Sequence, residues 1–588
     1  MCGIFGYIGR RKNSAQIVFD GIKSLEYRGY DSWGVAVVAD SKIYIKKRKG
    51  KIGEANIGNL PKGNISMGHT RWATHGGVTN INAHPHSDCS GKIAVIHNGI
   101  FENYEASKEK LVKEGHKIIS ETDTEVLAHL IESCAKRLPF TKAVNKAFNM
   151  MNGLNAIIVL NADDNKLVAI RNGSPLVIGF GKGENFLASD AAALLPHTKK
   201  VYFLGDYELA EISADGVIFS DAKNGKNFQP KIQTLNWQVS QTKKGKYPNF
   251  MEKEIYEQPE IITDIAVNSP AQAKRMGRII KKSYGAYLVG CGSASYVSLA
   301  GSYLFAKIAK RHINWAIGSE FGYHLDFLTP KSLVIAISQS GETMDILESV
   351  KKAKESGAKI FALVNVLGST LYREADYKML IGAGPEKSVA STKVVTGKLA
   401  ILTLLAYSIA GNIKKGQAVV MKAAKSSKKV LEQENIARLK KLARRLKGTE
   451  DIYVIGRGLS YPASLETAMK IKEITYIHAE GMAAGELKHG PLALVEKGTP
   501  CIAFLPDDET YGANLAGAME MKARGGYIVG ISYKPHELFD SYLPVDDAEE
   551  ATIIPNIITG QMIAYLLTIE LGLDPDMPRN LAKSVTVK

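Results

Sequence analysis

A chain of 588 residues with a formal charge of +16, 45% hydrophobic and 23% charged, has the composition of globular domains, three or four of them at about 150 residues each. No apolar run reaches the roughly 18 residues of a membrane span; the nearest, 394–411 and 557–573, are broken by Lys398 and by Gln561 with Glu570. The basic excess gathers at 414–447 together with Val, Leu and Ile at helical spacing, and no zinc-finger or RNP motif accompanies it, so it reads as a solvated helix face rather than a nucleic-acid site.

The N-terminus has no basic segment leading into an apolar one, so no export signal is expected. The five cysteines (Cys2, Cys89, Cys134, Cys291, Cys501) are odd in number, far apart and never spaced as CxxC, which points to a reducing cytoplasm and to no zinc cage.

The chain opens MCGIFGYIGR. A fraying terminus is a poor place for a packing cysteine. Removal of Met1 leaves Cys2 with a thiol and an α-amine on one residue, and an amine of reference pKa near ~8 can take the thiol proton. The plainer reading is a start codon followed by a small residue. Over the first 230 or so residues, short runs at 32–38, 42–46, 93–96, 156–160 and 166–171 predict strands, and NSAQIVFDGIKSLEYRG and TDTEVLAHLIESCAKRL predict two helices. GHTRWATHG (68–76) and IHNGIFEN (96–103) are donor-rich loops: Asn98 and Gly99 can offer a side-chain amide and a backbone N–H to an oxyanion, and Arg71 can fork a carboxylate. HPH (84–86) sets a proline between two loop histidines, a poor chelate, and is read as structural.

A polar stretch at 237–258 reads as a linker. Beyond it the chain repeats. YGAYLVGCGSASYVSLAGSYLF and EDIYVIGRGLSYPASLETAMKI place Gly290 and Gly456 166 residues apart. LVIAISQSGET and PCIAFLPDDET follow at an offset of 167, then SGAKIFALVN and RGGYIVGISY at 168. Three strands recurring in order predict two copies of a doubly wound parallel α/β domain, with ligands beyond the carboxyl ends of the strands. There AISQSGET sets Ser338, Gln339, Ser340 and Thr343 where a helix should open, which suits a phosphate; simple N-capping is the plainer alternative. In the second copy Glu466, Lys470 and Glu473 share one helical face, and His489 follows in ELKHGP. A solvated salt-bridge ladder accounts for such charges too, but a carboxylate, an ammonium and an imidazole near a sugar phosphate can move protons.

CGIFGYIG, LEYRGYDS, GHTRWATHG, HNGI and ETDTE resemble the class II glutamine amidotransferases, which are N-terminal-nucleophile hydrolases. SQSGET, VASTK, GRG…YPASLE, KIKEI…HAEG, GELKHGPLAL and PRNLAKSVTVK resemble the paired sugar-isomerase (SIS) domains of the glutamine–fructose-6-phosphate amidotransferase family. The similarity spans nearly the whole chain. It implies an αββα N-terminal-nucleophile sandwich at 2–236, the linker at 237–258, sugar-isomerase domains at 259–415 and 416–575, and a tail at 576–588 closing the sugar site. The implied reaction uses glutamine and fructose 6-phosphate to make glucosamine 6-phosphate, the first step of the hexosamine pathway. It needs no cofactor and no metal, and the implied enzyme is a cytoplasmic homodimer without nucleic-acid or membrane partners.

Carried over residue by residue, the resemblance makes Cys2 the nucleophile, Asn98 and Gly99 the oxyanion hole, and Arg71, Thr74, His75 and Asp123 the glutamine site, with Trp72 as the gate of an ammonia channel. Ser338, Gln339, Ser340 and Thr343 match the phosphate site, with Val389 and Ser391 nearby. Glu473 matches the base between C1 and C2, His489 the ring-opening residue from the second subunit, and Lys583 the Schiff-base lysine supported by Glu466 and Lys470. One departure is GCGSAS: Ala294 falls where a sugar-contacting serine is expected, so Ser293 or Ser295 supplies that hydroxyl. The alternatives are another class II amidotransferase or a non-catalytic sugar-phosphate-binding regulator. The first wants an acidic ribosyl-diphosphate loop or an SGGxDS loop, and neither occurs. The second wants a DNA-binding module and has no use for Cys2, Glu473 and Lys583.

Overall fold

The computed structural model describes residues 2–235 and 237–584. The expected loss of Met1 and the last four residues of the tail lie outside the described residues. The chain divides into two compact units, 1–242 together with the tail from Ala582, and 243–581.

In the first unit an eight-stranded and a seven-stranded antiparallel sheet share one core. Strand Gly3–Gly9 lies centrally in the larger sheet, between Glu184–Ala188 and Ile65–Arg71. Its Ile4 and Ile8 point at Ile96 and Ile158 of the other sheet, while Phe5 and Tyr7 point the opposite way, toward Ile17, Val18 and Ile22 of helix Ser14–Ser24. Both faces of the strand are covered, which is why CGIFGYIG reads as an unbroken apolar run instead of an alternating one. Helix Asp123–Ala135 covers the outer face of the second sheet, and Thr122 Oγ1 caps it by accepting from Glu125 N at 3.3 Å. All five expected strands and both expected helices are present, with ends moved by up to five residues. Two further helices, Tyr104–Lys113 and Phe140–Asn149, were not anticipated; the first buries only Leu111, so its apolar periodicity is nearly absent.

The second unit carries the expected repeat. Five parallel strands run in the order Asn314–Ile317, Ala286–Gly290, Leu333–Ser338, Lys359–Val364, Tyr377–Leu380. The second copy repeats that order as His478–Ala483, Asp451–Gly456, Pro500–Leu505, Tyr527–Ser532, Ser541–Pro544. The linker expected at 237–258 is corrected in its second half: helix Phe250–Asn268 begins inside it and runs through Pro259. Met251, Ile255, Ile262 and Ile265 bury one stripe of that helix, and its first N–H groups are capped from far along the chain, Phe250 N and Met251 N each donating to an Asp576 carboxylate oxygen at 2.8 Å.

The two apolar runs noted in the sequence are core helices, Lys393–Ile409 and Ile553–Glu570. Glu549–Glu570 is long and apolar enough to cross a membrane, but its apolar window is 94% buried inside the fold. Gln561, which interrupts the run, is fully buried and paired with Gln258 at 2.7 Å. The basic stretch forms helices Ile413–Val430 and Gln433–Leu446, whose apolar faces are buried, while Lys422 and Lys429 lie out in solvent against Glu549 and Asp546.

Candidate active sites

The pairing of Gly3 with Thr70 brings Cys2 beside the chain as it leaves Arg71. Trp72 N–H donates to Cys2 Sγ at 3.2 Å, and the thiol lies 3.5 Å from Trp72 O. Burial pushes the Cys2 thiol up. Among the described residues no side-chain base is hydrogen-bonded to Sγ. Asn98 Nδ2 donates to Cys2 O at 2.9 Å, and its Oδ1 lies 3.1 Å from His69 Nε2, which fixes the direction of the amide. Gly99, next on the same strand, has φ +132°, and a Cβ there would run into Leu154 O; only glycine fits.

Arg71 is buried and spends its guanidinium on the following loop, donating to Gly77 O and Gly76 O at 3.1 Å each and to His75 O. Ala73 N donates to Asp31 Oδ2 at 2.8 Å, so an acid that the sequence did not single out pins the same loop. Asp123 sits in the first turn of its helix and accepts from Phe101 N at 2.8 Å. The Trp72 ring meets Tyr30 edge-on at 5.6 Å, His75 meets Tyr104 at 5.5 Å, and Thr74 is exposed. The HPH histidines are core rings: His84 stacks on His69 at 4.1 Å and meets His86 at 4.9 Å.

In the second unit Ser338 ends its strand and Gln339–Thr343 leads into helix Met344–Glu355. Thr343 stands at the cap position without making a side-chain cap bond; its hydroxyl lies 3.2 Å from that of Ser338. Capping therefore does not account for these hydroxyls. Gly341 has φ +69°, and a Cβ there would strike Ser369 Oγ. Ser338 Oγ accepts from Gly341 N at 3.0 Å and Ser340 Oγ from Glu342 N at 3.1 Å, which fold the loop into a compact cup.

The charges on helix Ser460–Thr475 are not a solvated ladder. Lys470 and Glu466 are buried, with Lys470 Nζ 3.5 Å from Glu466 and in direct contact with Glu473. Burial drives the Glu466 carboxyl up to about 7, against the pull of Lys470. The charges of Glu386 and Lys398 also reach this pair. Ser293 Oγ lies 3.6 Å from Met469 Sδ on the same helix, so the first GxG turn faces the charged cluster. Ser295 instead takes the Trp315 indole N–H, at 2.8 Å on its carbonyl and 3.2 Å on its hydroxyl.

Two buried acids missed in the sequence shape the 384–393 loop. Glu386 accepts from Thr392 N and Val394 N at 3.0 Å each and from Ser391 Oγ at 2.9 Å. Glu254 accepts from Ser388 N at 3.1 Å and Lys387 N at 2.5 Å. Val389 N donates to Asp576 O at 3.0 Å. Of the other expected site residues, His489 is exposed at the end of the turn Glu486–His489, and Lys583 is half-buried in the tail that groups with the first unit.

The glutamine amidotransferase domain family matches residues 69–196, and the SIS domain family matches 279–408 and 446–567. A glutamine–fructose-6-phosphate aminotransferase (isomerizing) of Pyrococcus horikoshii is 43% identical, and one of Thermococcus kodakarensis 42%, each over the whole of both chains. The chain belongs to this aminotransferase family. Among solved structures, the C-terminal domain of the glucosamine-fructose-6-phosphate aminotransferase of Francisella tularensis superposes with a TM-score of 0.53 at 32% identity, covering 57% of this chain and all of that one. In the terms of the family, the first unit contains the amidotransferase domain and the second both SIS domains, matching the antiparallel sandwich and the two parallel sheets.

Proposed function

We propose that Cys2, freed of Met1, releases ammonia from glutamine and that the Glu466–Lys470–Glu473 cluster turns that ammonia and fructose 6-phosphate into glucosamine 6-phosphate. Family membership supports the overall reaction, an isomerising, glutamine-dependent amination; the residue roles are our reading. Among the described residues no side-chain base is hydrogen-bonded to Cys2 Sγ, which suits its own α-amine as proton acceptor. The thiolate attacks the glutamine amide carbon, ammonia leaves, and water cleaves the thioester to glutamate. Asn98 and Gly99 stabilise the oxyanion, while Arg71, Thr74, His75 and Asp123 hold the amino-acid end.

On the sugar, the hydroxyls of Ser338, Ser340 and Thr343, with Gln339, Val389 and Ser391 beside them, take the phosphate. Ser293, not Ser295, supplies the hydroxyl that Ala294 lacks, since Ser295 is engaged with Trp315. The partner subunit's His489 opens the ring, an arrangement suggested by its exposure in its own chain. Lys583 condenses with the C2 carbonyl and expels water; ammonia then displaces the lysine, leaving an imine at C2. Glu473 takes a proton from C1 and returns it at C2, giving the aldose amine. We place this homodimer in the cytoplasm, where five free thiols persist.

The observation that carries the reading is the buried Lys470 bridging two carboxylates beside a sugar-binding turn, an arrangement that a mere binding module does not require. The test is incubation with glutamine and fructose 6-phosphate, following glutamate and hexosamine phosphate together. Cys2→Ala should abolish glutamate release while sugar binding persists. Equal glutamate release by the variant, or release of glutamate by wild type with no amino sugar formed, would defeat the proposal.

A further inference from the structure

Away from both candidate sites, four side chains from three segments of the first unit converge: Cys89 after strand His86–Ser87, His116 after helix Tyr104–Lys113, and His129 with Glu132 on helix Asp123–Ala135. Their ligand atoms all lie within 4.8 Å of one another. We propose that these four residues form a tetrahedral zinc site of one thiolate, two imidazoles and one carboxylate.

The spacing fits an ion at the centre. Zinc bonds of about 2.3 Å to sulfur and about 2.0–2.1 Å to nitrogen and oxygen, at tetrahedral angles, separate sulfur from nitrogen by about 3.6 Å and nitrogen from oxygen by about 3.3 Å. Cys89 Sγ lies 3.8 Å from His116 Nδ1 and 3.5 Å from His129 Nδ1. Glu132 Oε2 lies 3.0 Å from His116 Nδ1 and 3.3 Å from His129 Nδ1.

The surroundings fit as well. Two main-chain donors point at the two anionic ligands, Lys117 N–H at Cys89 Sγ (3.4 Å) and Cys89 N–H at Glu132 Oε2 (3.2 Å). Both imidazoles are buried and turn the same nitrogen, Nδ1, to the centre, leaving Nε2 of each without a hydrogen-bond partner. Without a cation the cluster is held by hydrogen bonds alone, Nδ1–H to Glu132 Oε2 and Cys89 S–H to an unprotonated Nδ1. With a cation at the centre each Nδ1 is a lone-pair donor and each Nε2 carries the hydrogen, and that of His129 has Glu125 Oε1 3.7 Å away, beyond hydrogen-bond length but the nearest carboxylate that could take it. A thiolate and a carboxylate also neutralise the ion.

A cavity of about 520 Å³ lined by Cys89, His86, Glu125 and His129 gives the metal a way in. Four protein ligands leave no open position, so the role is structural. The ion would clamp the 88–93 and 114–122 segments to the helix that carries Asp123. No short motif announces the site, since 26, 12 and 2 residues separate the successive ligands, and cysteines that never fall as CxxC gave no zinc cage to expect.

The test uses the full chain, grown with zinc, dialysed without chelator and assayed by elemental analysis, then stripped and titrated with cobalt(II). About one zinc per chain and a thiolate-to-cobalt charge-transfer band with tetrahedral visible bands are expected. Cys89→Ser, at an exposed position that folding tolerates, should remove the charge-transfer band and weaken affinity by more than the roughly 10–100-fold that loss of an outer-shell partner costs. Cys2→Ala should keep both the metal and the band. Substoichiometric zinc together with no cobalt band, or a band that survives Cys89→Ser and vanishes with Cys2→Ala, would overturn the site.

Discussion

Replacing Glu473 by Gln removes a proton acceptor and leaves the contacts of its side chain nearly intact. Lys470 Nζ touches the Glu473 carboxylate and lies 3.5 Å from Glu466; an amide oxygen still accepts from that ammonium, and Glu466, relieved of the Glu473 charge that helps hold its proton on, ionises more readily to neutralise it. Folding should therefore lose on the order of 1 kcal/mol, the net worth of a hydrogen bond. Catalysis should lose far more. A positioned general base contributes about 10²–10⁴-fold, or about 2.7–5.5 kcal/mol of barrier at ~1.36 kcal/mol per decade. The assay runs wild type and Glu473→Gln in deuterium oxide with glutamine and fructose 6-phosphate, following exchange at C1, hexosamine phosphate and glutamate. Exchange and product should fall together by that factor while glutamate release changes little. Product at near wild-type rate would refute the reasoning and pass the role to His489.

Glu466 should make stability fall as pH rises. Its carboxyl titrates at about 7 in the folded chain against an ordinary 4.5, so the folded state keeps a proton that the unfolded state has lost, and stability present below pH 4.5 is lost through pH 7, by about 3 kcal/mol. Glu466→Gln should flatten that slope in denaturant midpoints taken at pH 5 and 8; an unchanged slope would remove Glu466 as its source. Trp72→Ala should keep glutamine hydrolysis, because Trp72 meets Cys2 through its main chain, yet lower the ratio of amino sugar to glutamate; an unchanged ratio would reject a gating role for the indole.

Much of the architecture is written in local periodicity. The 166–168-residue recurrence in the second half carries through to two sheets of identical strand order, because a buried parallel strand is a contiguous apolar run that survives in sequence. The charges at 466, 470 and 473 were visible as one helical face, but not as buried: burial belongs to what packs over the helix. What stayed hidden depends on long separations. Glu254 and Glu386 look like surface acids in sequence, yet together they tie down the 384–393 loop. Cys89, His116, His129 and Glu132 are brought together by the sandwich alone. The linker reading at 250–258 failed because Glu252, Lys253, Glu254 and Glu257 make the segment look solvated, whereas Lys253 and Glu254 are buried and Glu252 and Glu257 half-buried.

The capping of helix Phe250–Asn268 by Asp576 joins residues up to 326 positions apart. On the ribosome, at roughly 5–20 residues per second, that helix waits on the order of tens of seconds for the carboxylate that finishes its first turn. Nascent chains halted before Asp576 would carry two orphaned N–H groups at the start of the second unit and lack the carbonyl that receives Val389 N. Truncation before Asp576 would thus spare every described strand, the last ending at Pro544, yet remove the carboxylate that closes the first turn of helix Phe250–Asn268.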